Sequence, residues 1–118
     1  VMVVMGDVND ALEFESCIKK IDKSYIVKAF IDEKLSLKWA LKNSVKVLIL
    51  EDELSRMRAE TYLKYYKKYI LVIPKIILLG NKKYTDDYRI DKLLPMDVSA
   101  NAIAKNVQEI IADNKEKE

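Results

Sequence analysis

The chain has 118 residues, 50% of them hydrophobic, which fits the ~100–200 residues of a single domain able to bury one core. Its 21 basic and 19 acidic side chains leave a net charge of +2, too balanced to call for nucleic acid or an acidic membrane surface as partner. Histidine is absent, which removes the commonest general base and the commonest transition-metal ligand and excludes most hydrolase and zinc chemistries.

Val1 to Met5 is an apolar run that reads as a first strand. The chain starts inside it without a methionine, so the true amino terminus or an upstream domain is expected outside this sequence. Ala11, Phe14, Cys17, Ile18 and Ile21 then recur at steps of three and four, a helix with one apolar face, with Asp10 or Asn9 as N-cap. Cys17 is the sole cysteine, so no intrachain disulfide forms, and it reads as a small buried core residue. Tyr25 to Phe30 is a second strand. Leu37, Ala40 and Leu41 mark a second helix after Asp32, with Trp39 pointing away from that stripe and partly exposed.

Val45 to Leu50 is a third strand, rich in valine and leucine with little polar alternation, as expected where helices cover both faces. Ala59, Tyr62, Leu63, Tyr66 and Ile70 mark a third helix whose other face carries Arg56, Lys64, Lys67 and Lys68. Lys75 to Leu79 is a fourth strand. The stretch from Gly80 to Tyr88 is shorter than the ~10–12 residues that a full crossover with its helix needs, so a fourth helix is expected to be short or absent. Arg89 to Leu94 is a fifth strand, placed at an edge because Arg89, Asp91 and Lys92 interrupt it. Asp97 is the expected cap of a last helix bearing Ala100, Ile103, Val107, Ile110 and Ile111 on one side. The domain is expected to span 1–113, with 114–118 as a frayed charged tail.

Strands alternating with helices point to βαβ units and a parallel sheet with helices on both faces. No apolar run approaches the ~18–20 residues of a membrane span, and no charged leader precedes a short apolar stretch, so the chain reads as cytoplasmic. The two glycines, Gly6 and Gly80, both follow expected strand ends, the edge where open α/β sheets bind ligands.

Three stretches carry a resemblance: Val45 to Glu51, Pro74 to Gly80, and Leu93-Leu94-Pro95-Met96-Asp97 leading into an amphipathic helix. Together with the alternating elements they resemble the receiver domain of bacterial two-component response regulators over nearly the whole chain, with Pro95 setting the register of the last turn. The resemblance implies a flavodoxin-like (βα)5 three-layer sandwich, its five parallel strands ordered 2-1-3-4-5. In that family an acidic pair after the first strand and an aspartate after the third hold Mg²⁺ and accept a phosphoryl group. A hydroxyl after the fourth strand and a lysine after the fifth bind the phosphoryl oxygens, and an aromatic residue three before that lysine is the output switch.

The matching positions here are Met5, Gly6, Glu51, Leu79, Leu94 and Asp91. Mg²⁺ asks for near-octahedral oxygen ligation, and methionine and glycine supply no side-chain oxygen. The extra methylene of Glu51 displaces its carboxylate by more than ~1 Å, a shift able to cost on the order of 10²-fold. What the resemblance implies is therefore a degenerate, pseudo-receiver form: not an enzyme, without a cofactor, acting as a phosphorylation-independent interaction or regulatory module. Its partner would be a protein, either a second copy, an output domain or a histidine kinase.

A competing reading keeps the chemistry. Asp7, Asp10, Glu51 and Asp52 would gather at one edge, and a bulge or altered turn would let Asp7, Glu51 and Asp52 hold Mg²⁺ as a working phosphoacceptor site. Against it, Asp10 serves equally as a helix cap and Asp52 as a solvated loop residue. A slip in the fifth strand would bring Lys92 toward the same place. Glu51 reads either as a mimic of the phosphorylated state or as a remnant, and the missing lysine and hydroxyl contacts favour a remnant. The lysine face of the third helix reads as solvated rather than as a nucleic-acid or membrane surface. Trp39, Tyr65, Tyr69 and Tyr84 are candidate interface anchors.

Overall fold

Strands that are aliphatic without alternation have no face to offer water, and the fold answers by covering both. The computed structural model describes residues 1–52, 54, 56–80 and 90–117, with side chains through 113. Strands β1 (Met2–Val4), β2 (Lys28–Phe30), β3 (Val47–Glu51), β4 (Lys75–Leu79) and β5 (Lys92–Leu94) form one parallel sheet of five, in the order β2-β1-β3-β4-β5. Helices α1 (Val8–Ile21), α2 (Glu33–Lys42), α3 (Ala59–Tyr69) and α4 (Ala100–Lys117) pack on it in two layers. The expectation of a short or absent helix after Gly80 falls on 81–89, outside the described residues.

Because side chains alternate along a strand, β1, β3 and β4 feed two separate cores. Val3, Val47, Ile49, Ile77 and Leu79 meet Phe14 and Ile18 of α1 and Ile103, Val107 and Ile110 of α4 on one face. Met2, Val4, Leu48, Leu50, Ile76 and Leu78 meet Ala40 of α2 and Tyr62, Leu63 and Tyr66 of α3 on the other. Each buried aliphatic side chain contributes about 1.5–3 kcal/mol relative to exposure, so the three central strands are the main source of stability.

Several element ends differ from the sequence expectation, each for a local reason. The second strand is confined to Lys28–Phe30 because Tyr25 N–H closes a turn on the Asp22 carbonyl at 3.1 Å. The third starts at Val47 rather than Val45 and extends to Glu51, while the fifth begins only at Lys92. The cap of α1 is Asp7, not Asp10 or Asn9: its Oδ1 accepts from Asn9 N at 2.8 Å and Asp10 N at 3.1 Å. The helix thus starts before its first buried residue, Ala11, which is where the apolar stripe becomes visible. Asp32, the residue after which the second helix is expected, caps α2, accepting from Lys34 N and Leu35 N.

At α4 the capping oxygen belongs to Ser99, which accepts from Ala102 N at 3.1 Å, while Asp97 sits exposed in the preceding turn, closed by Val98 N on Pro95 O. That helix continues to Lys117, into the stretch expected as a tail. On α2 the buried stripe is Glu33, Ser36 and Ala40. This rotation leaves Leu41 exposed and turns Trp39 partly inward, its ring 6.0 Å from that of Phe30 at 54°. Cys17 is half-buried, packed against the α1 side of the core rather than enclosed in it.

The α2–α3 layer holds a polar device that apolar periodicity does not announce. Ser36 Oγ, fully buried, donates to Glu33 O at 2.7 Å and receives the Tyr62 hydroxyl at 2.7 Å. Glu33 Oε1 accepts from Arg56 N at 3.0 Å, tying the start of α2 to the loop before α3. Burial drives the Tyr62 phenol far above its ordinary range, and burial pushes that of Tyr66 up to about 12. Replacing Ser36 by alanine strands a buried hydroxyl, whereas Tyr62→Phe leaves Ser36 with its carbonyl partner. Ser36→Ala is therefore expected to cost about 1–3 kcal/mol and Tyr62→Phe about 0.5–1.5 kcal/mol in urea unfolding; equal losses would show that the pair is not coupled as described.

Candidate functional site

In a parallel sheet every strand delivers its last residue to the same edge, and here that edge is read directly from the register. Glu51 pairs with Leu79, and Leu79 with Leu94, so a carboxylate and two leucines stand side by side across β3, β4 and β5. Leu79 is fully buried and Leu94 half-buried. Met5, just past β1, is buried in the α1 side of the core, its N–H on Phe30 O at 3.0 Å. Pro95 follows Leu94 and is exposed, and its carbonyl starts the turn that leads to α4.

The half-buried Glu51 accepts a hydrogen bond from Gly6 N to its Oε2 at 3.3 Å. Burial raises its carboxyl above the ordinary glutamate value; the Gly6 hydrogen bond opposes the rise, and the negative charges of Asp10, Asp7 and Asp52 add to it. The acids expected at this edge are thus close enough to repel Glu51. Proximity does not make them a ligand set: Asp7 Oδ1 is engaged by two amides at the start of α1, and Asp10 projects from the first turn of that helix. Among the described residues no group of three His, Cys, Asp or Glu side chains is arranged to hold a metal ion. With Met5 and Gly6 contributing no side-chain oxygen, the residues present do not fit the Mg²⁺ that this edge would hold in a phosphoacceptor site.

Asp52 is buried, not a solvated loop residue. Its N–H donates to Leu79 O at 2.7 Å and its carbonyl accepts from Ala59 N at 2.8 Å, so it extends the sheet by one residue and seats the first turn of α3. This replaces the side-chain cap that α3 lacks. Gly80 lies directly against it, with φ +156° and N–H on Leu94 O at 2.9 Å; a Cβ there would overlap the Asp52 Cβ.

The possible slip of strand five does not occur. Lys92 pairs with Ile77, and its Nζ turns to α4, 2.7 Å from Asn106 Oδ1 and 3.2 Å from Glu109 Oε2. Asp91, at the position of the aromatic switch, acts instead as part of the ladder. Its N–H donates to Ile76 O at 2.9 Å, its Oδ2 accepts from Ile76 N at 2.8 Å, and its Oδ1 lies 3.8 Å from Lys75 Nζ. Of the candidate anchors, Tyr65 and Tyr69 are exposed, Trp39 is partly buried, and Tyr84 lies outside the described residues. Among the described residues no helix is long and apolar enough to cross a membrane.

Comparison with solved structures gives the same architecture. The chain is similar to the signal receiver domain of a Luxo repressor protein from Vibrio parahaemolyticus, with TM-score 0.79 and 14% identity over 98% of this chain and 92% of that one. It is similar to a CheY-like response regulator receiver domain from Methanospirillum hungatei, with TM-score 0.76 and 12% identity over 99% and 97%. A third similar structure belongs to a family of redox sensors in the streptococci that evolved from two-component response regulators, with TM-score 0.73 and 14% identity over 97% of this chain and 52% of that one. No family model matches the chain. No curated protein matches it either. At these identities the likeness concerns the fold: the chain has the fold of the CheY-like receiver domains of response regulators.

Two measurements check the geometry of this edge. A carboxyl whose folded-state pKa lies above its unfolded value stabilises the fold while protonated; that contribution is complete below the unfolded value and is lost as pH rises through the raised value. Glu51→Gln, which keeps an acceptor for Gly6 N, should therefore raise the melting temperature at pH 7, and the gain should vanish below the ordinary glutamate range. A gain that persists in acid would place its cause elsewhere. Gly80→Ala is expected to cost roughly 2–4 kcal/mol in urea unfolding, from backbone strain and overlap with Asp52; a loss below about 1 kcal/mol would mean the turn relaxes freely.

Proposed function

We infer that this domain is a phosphorylation-independent regulatory module that works by binding a protein partner, and that it is not an enzyme. The observation that carries the reading is the row Glu51, Leu79 and Leu94. Phosphoryl transfer depends on charge stabilisation at the transferring oxygens, and beside Glu51 the two positions that would supply it are aliphatic. Met5, Gly6, Leu79 and Leu94 are then degenerate site positions, Glu51 is a remnant of the phosphoacceptor, and no cofactor is required. Asp91, hydrogen-bonded into the ladder, is no longer able to swing as a switch.

The streptococcal redox sensors support the idea that this fold can leave the phosphorelay and serve another input. Candidate partners are a second copy, an output domain or a histidine kinase, in a cytoplasmic setting consistent with a single cysteine and no disulfide. Asp7, Asp10 and Asp52 around Glu51 favour one rival, a shifted Mg²⁺-dependent phosphoacceptor. Incubation with Mg²⁺ and acetyl phosphate, followed by intact-mass measurement, separates the two. The expected result is an unchanged mass; a hydroxylamine-sensitive phosphoryl adduct on Glu51 or Asp52 would overturn the proposal.

A further inference from the structure

The edge where receiver-like folds carry chemistry is not the place where, among the described residues, this molecule exposes its most apolar surface. That lies at the opposite end of the sheet, in the turn between α3 and β4, where Leu71 and Val72 are 100% and 74% exposed and Ile73 is 41% exposed. Tyr69 (58%) and Leu41 (59%) stand beside them. Nothing in the fold asks for aliphatic side chains there, since none of Leu71, Val72 and Ile73 belongs to either core. Small or polar residues would close such a turn as well. Single exposed hydrophobics are ordinary, but a contiguous cluster is a mark of an interaction site.

The ridge is flanked by two clefts. One, of about 410 Å³, runs between the ends of α2 and α3 and is walled by Leu41, Val45, Tyr66, Tyr69 and Ile70. The other, of about 250 Å³, lies between α3 and β4 with Leu63, Tyr66, Pro74 and Ile76 in its wall. A ridge between hollows takes interdigitating side chains, whereas a bilayer meets a convex loop.

Among the described residues the charge around the larger cleft is basic. Lys42, Lys46 and Lys68 are exposed around this end, and among the described residues the wall of the larger cleft contains no carboxylate. The carboxylate in the smaller cleft, Asp91, is occupied by Ile76 N and Lys75. Asp7, Asp10 and Asp97 are exposed at the far end.

We propose that this surface docks a protein segment presenting large apolar side chains flanked by carboxylates, with Leu71, Val72 and Tyr69 as the anchors and the lysines selecting the charge. The proposal rests on the reading of the domain as an interaction module and gives that module a surface and a partner class. Apolar anchors supply the affinity, and the lysines supply encounter rate and choice of partner.

The test uses a short amphipathic peptide with leucines at helical i, i+3, i+4 and i+7 spacing and glutamates elsewhere, titrated into the isotope-labelled domain and followed by backbone amide NMR. Saturable shifts are expected at 41–46 and 66–73. Leu71→Ser/Val72→Ser should weaken binding about tenfold or more, with the unbound spectrum otherwise retained, and Lys42→Glu/Lys68→Glu should weaken it in a salt-dependent way. Shifts no larger than with a scrambled peptide of the same composition, or confined to the Glu51 edge, would overturn the proposal. So would binding of phosphatidylserine vesicles in place of the peptide, or self-association abolished by the Leu71/Val72 variant, which would assign the surface to lipid or to a second copy. The acetyl phosphate measurement reports separately: an adduct on Glu51 with the peptide still bound sinks the functional reading alone, and no adduct with no binding sinks the docking site alone.

Discussion

Strand β3 has no face that meets water. Val47, Leu48, Ile49 and Leu50 are each fully buried, and a strand in that position can be stable only if helices cover the sheet on both sides. Covering both sides forces every connection to the two ends of the sheet. With parallel strands, all strand termini of one kind then lie together. The location of the candidate site, the adjacency of Glu51, Leu79 and Leu94, and the exposure of the α3–β4 turn all follow from that requirement. The lateral pairing of β3 with β1 and β4 adds the register that decides which side chains become neighbours.

At the carboxyl edge the residues that remain do structural work. Asp7 closes the first turn of α1, Asp52 joins the end of β3 to the start of α3, and Gly80 makes room for Asp52. Lys92 and Asp91, the charged residues nearest the expected switch, are bonded to α4 and β4. Among the described residues at this edge, Leu79 and Leu94 are aliphatic, Asp7 and Asp91 accept from backbone N–H groups, and Lys92 is held by Asn106 and Glu109. Glu51 is the exception, a half-buried carboxylate made less acidic by burial and by neighbouring charge.

The charges in the first and last turns of α1, α2 and α3 have a simple origin. All crossover helices run antiparallel to the strands, so their N-termini share one end of the sheet and their C-termini the other. Aspartates at the first and lysines at the second complement the helix dipoles: Asp7 and Asp32 as caps, and Lys19, Lys20, Lys42, Lys67 and Lys68 in the last turns. The lysines thus have a local reason to be where they are. Leu71, Val72 and Ile73 have none, which is why the aliphatic ridge, and not the charge, distinguishes the amino end of the sheet.

Period and composition determined the architecture of this protein: aliphatic runs without alternation, spaced by helical stripes, admit few arrangements besides a parallel sheet between two helix layers. They also carried the buried faces of α1, α3 and α4, and the start of α2 after Asp32, because these depend on side chains close in sequence. Tertiary structure alone decided the rest. Ser36, Tyr62 and Glu33 form a buried network joining α2 to α3 and to the loop at Arg56, Asp52 is buried although its sequence position resembles a loop, and Trp39 turns inward because packing rotates α2. Capping by Asp7 and Ser99 instead of Asp10 and Asp97 likewise depended on where the strands end. The physical reason is common to all of these: hydrophobic periodicity reports which face of an element is dry, while the partner of a polar atom is set by contacts from distant parts of the chain.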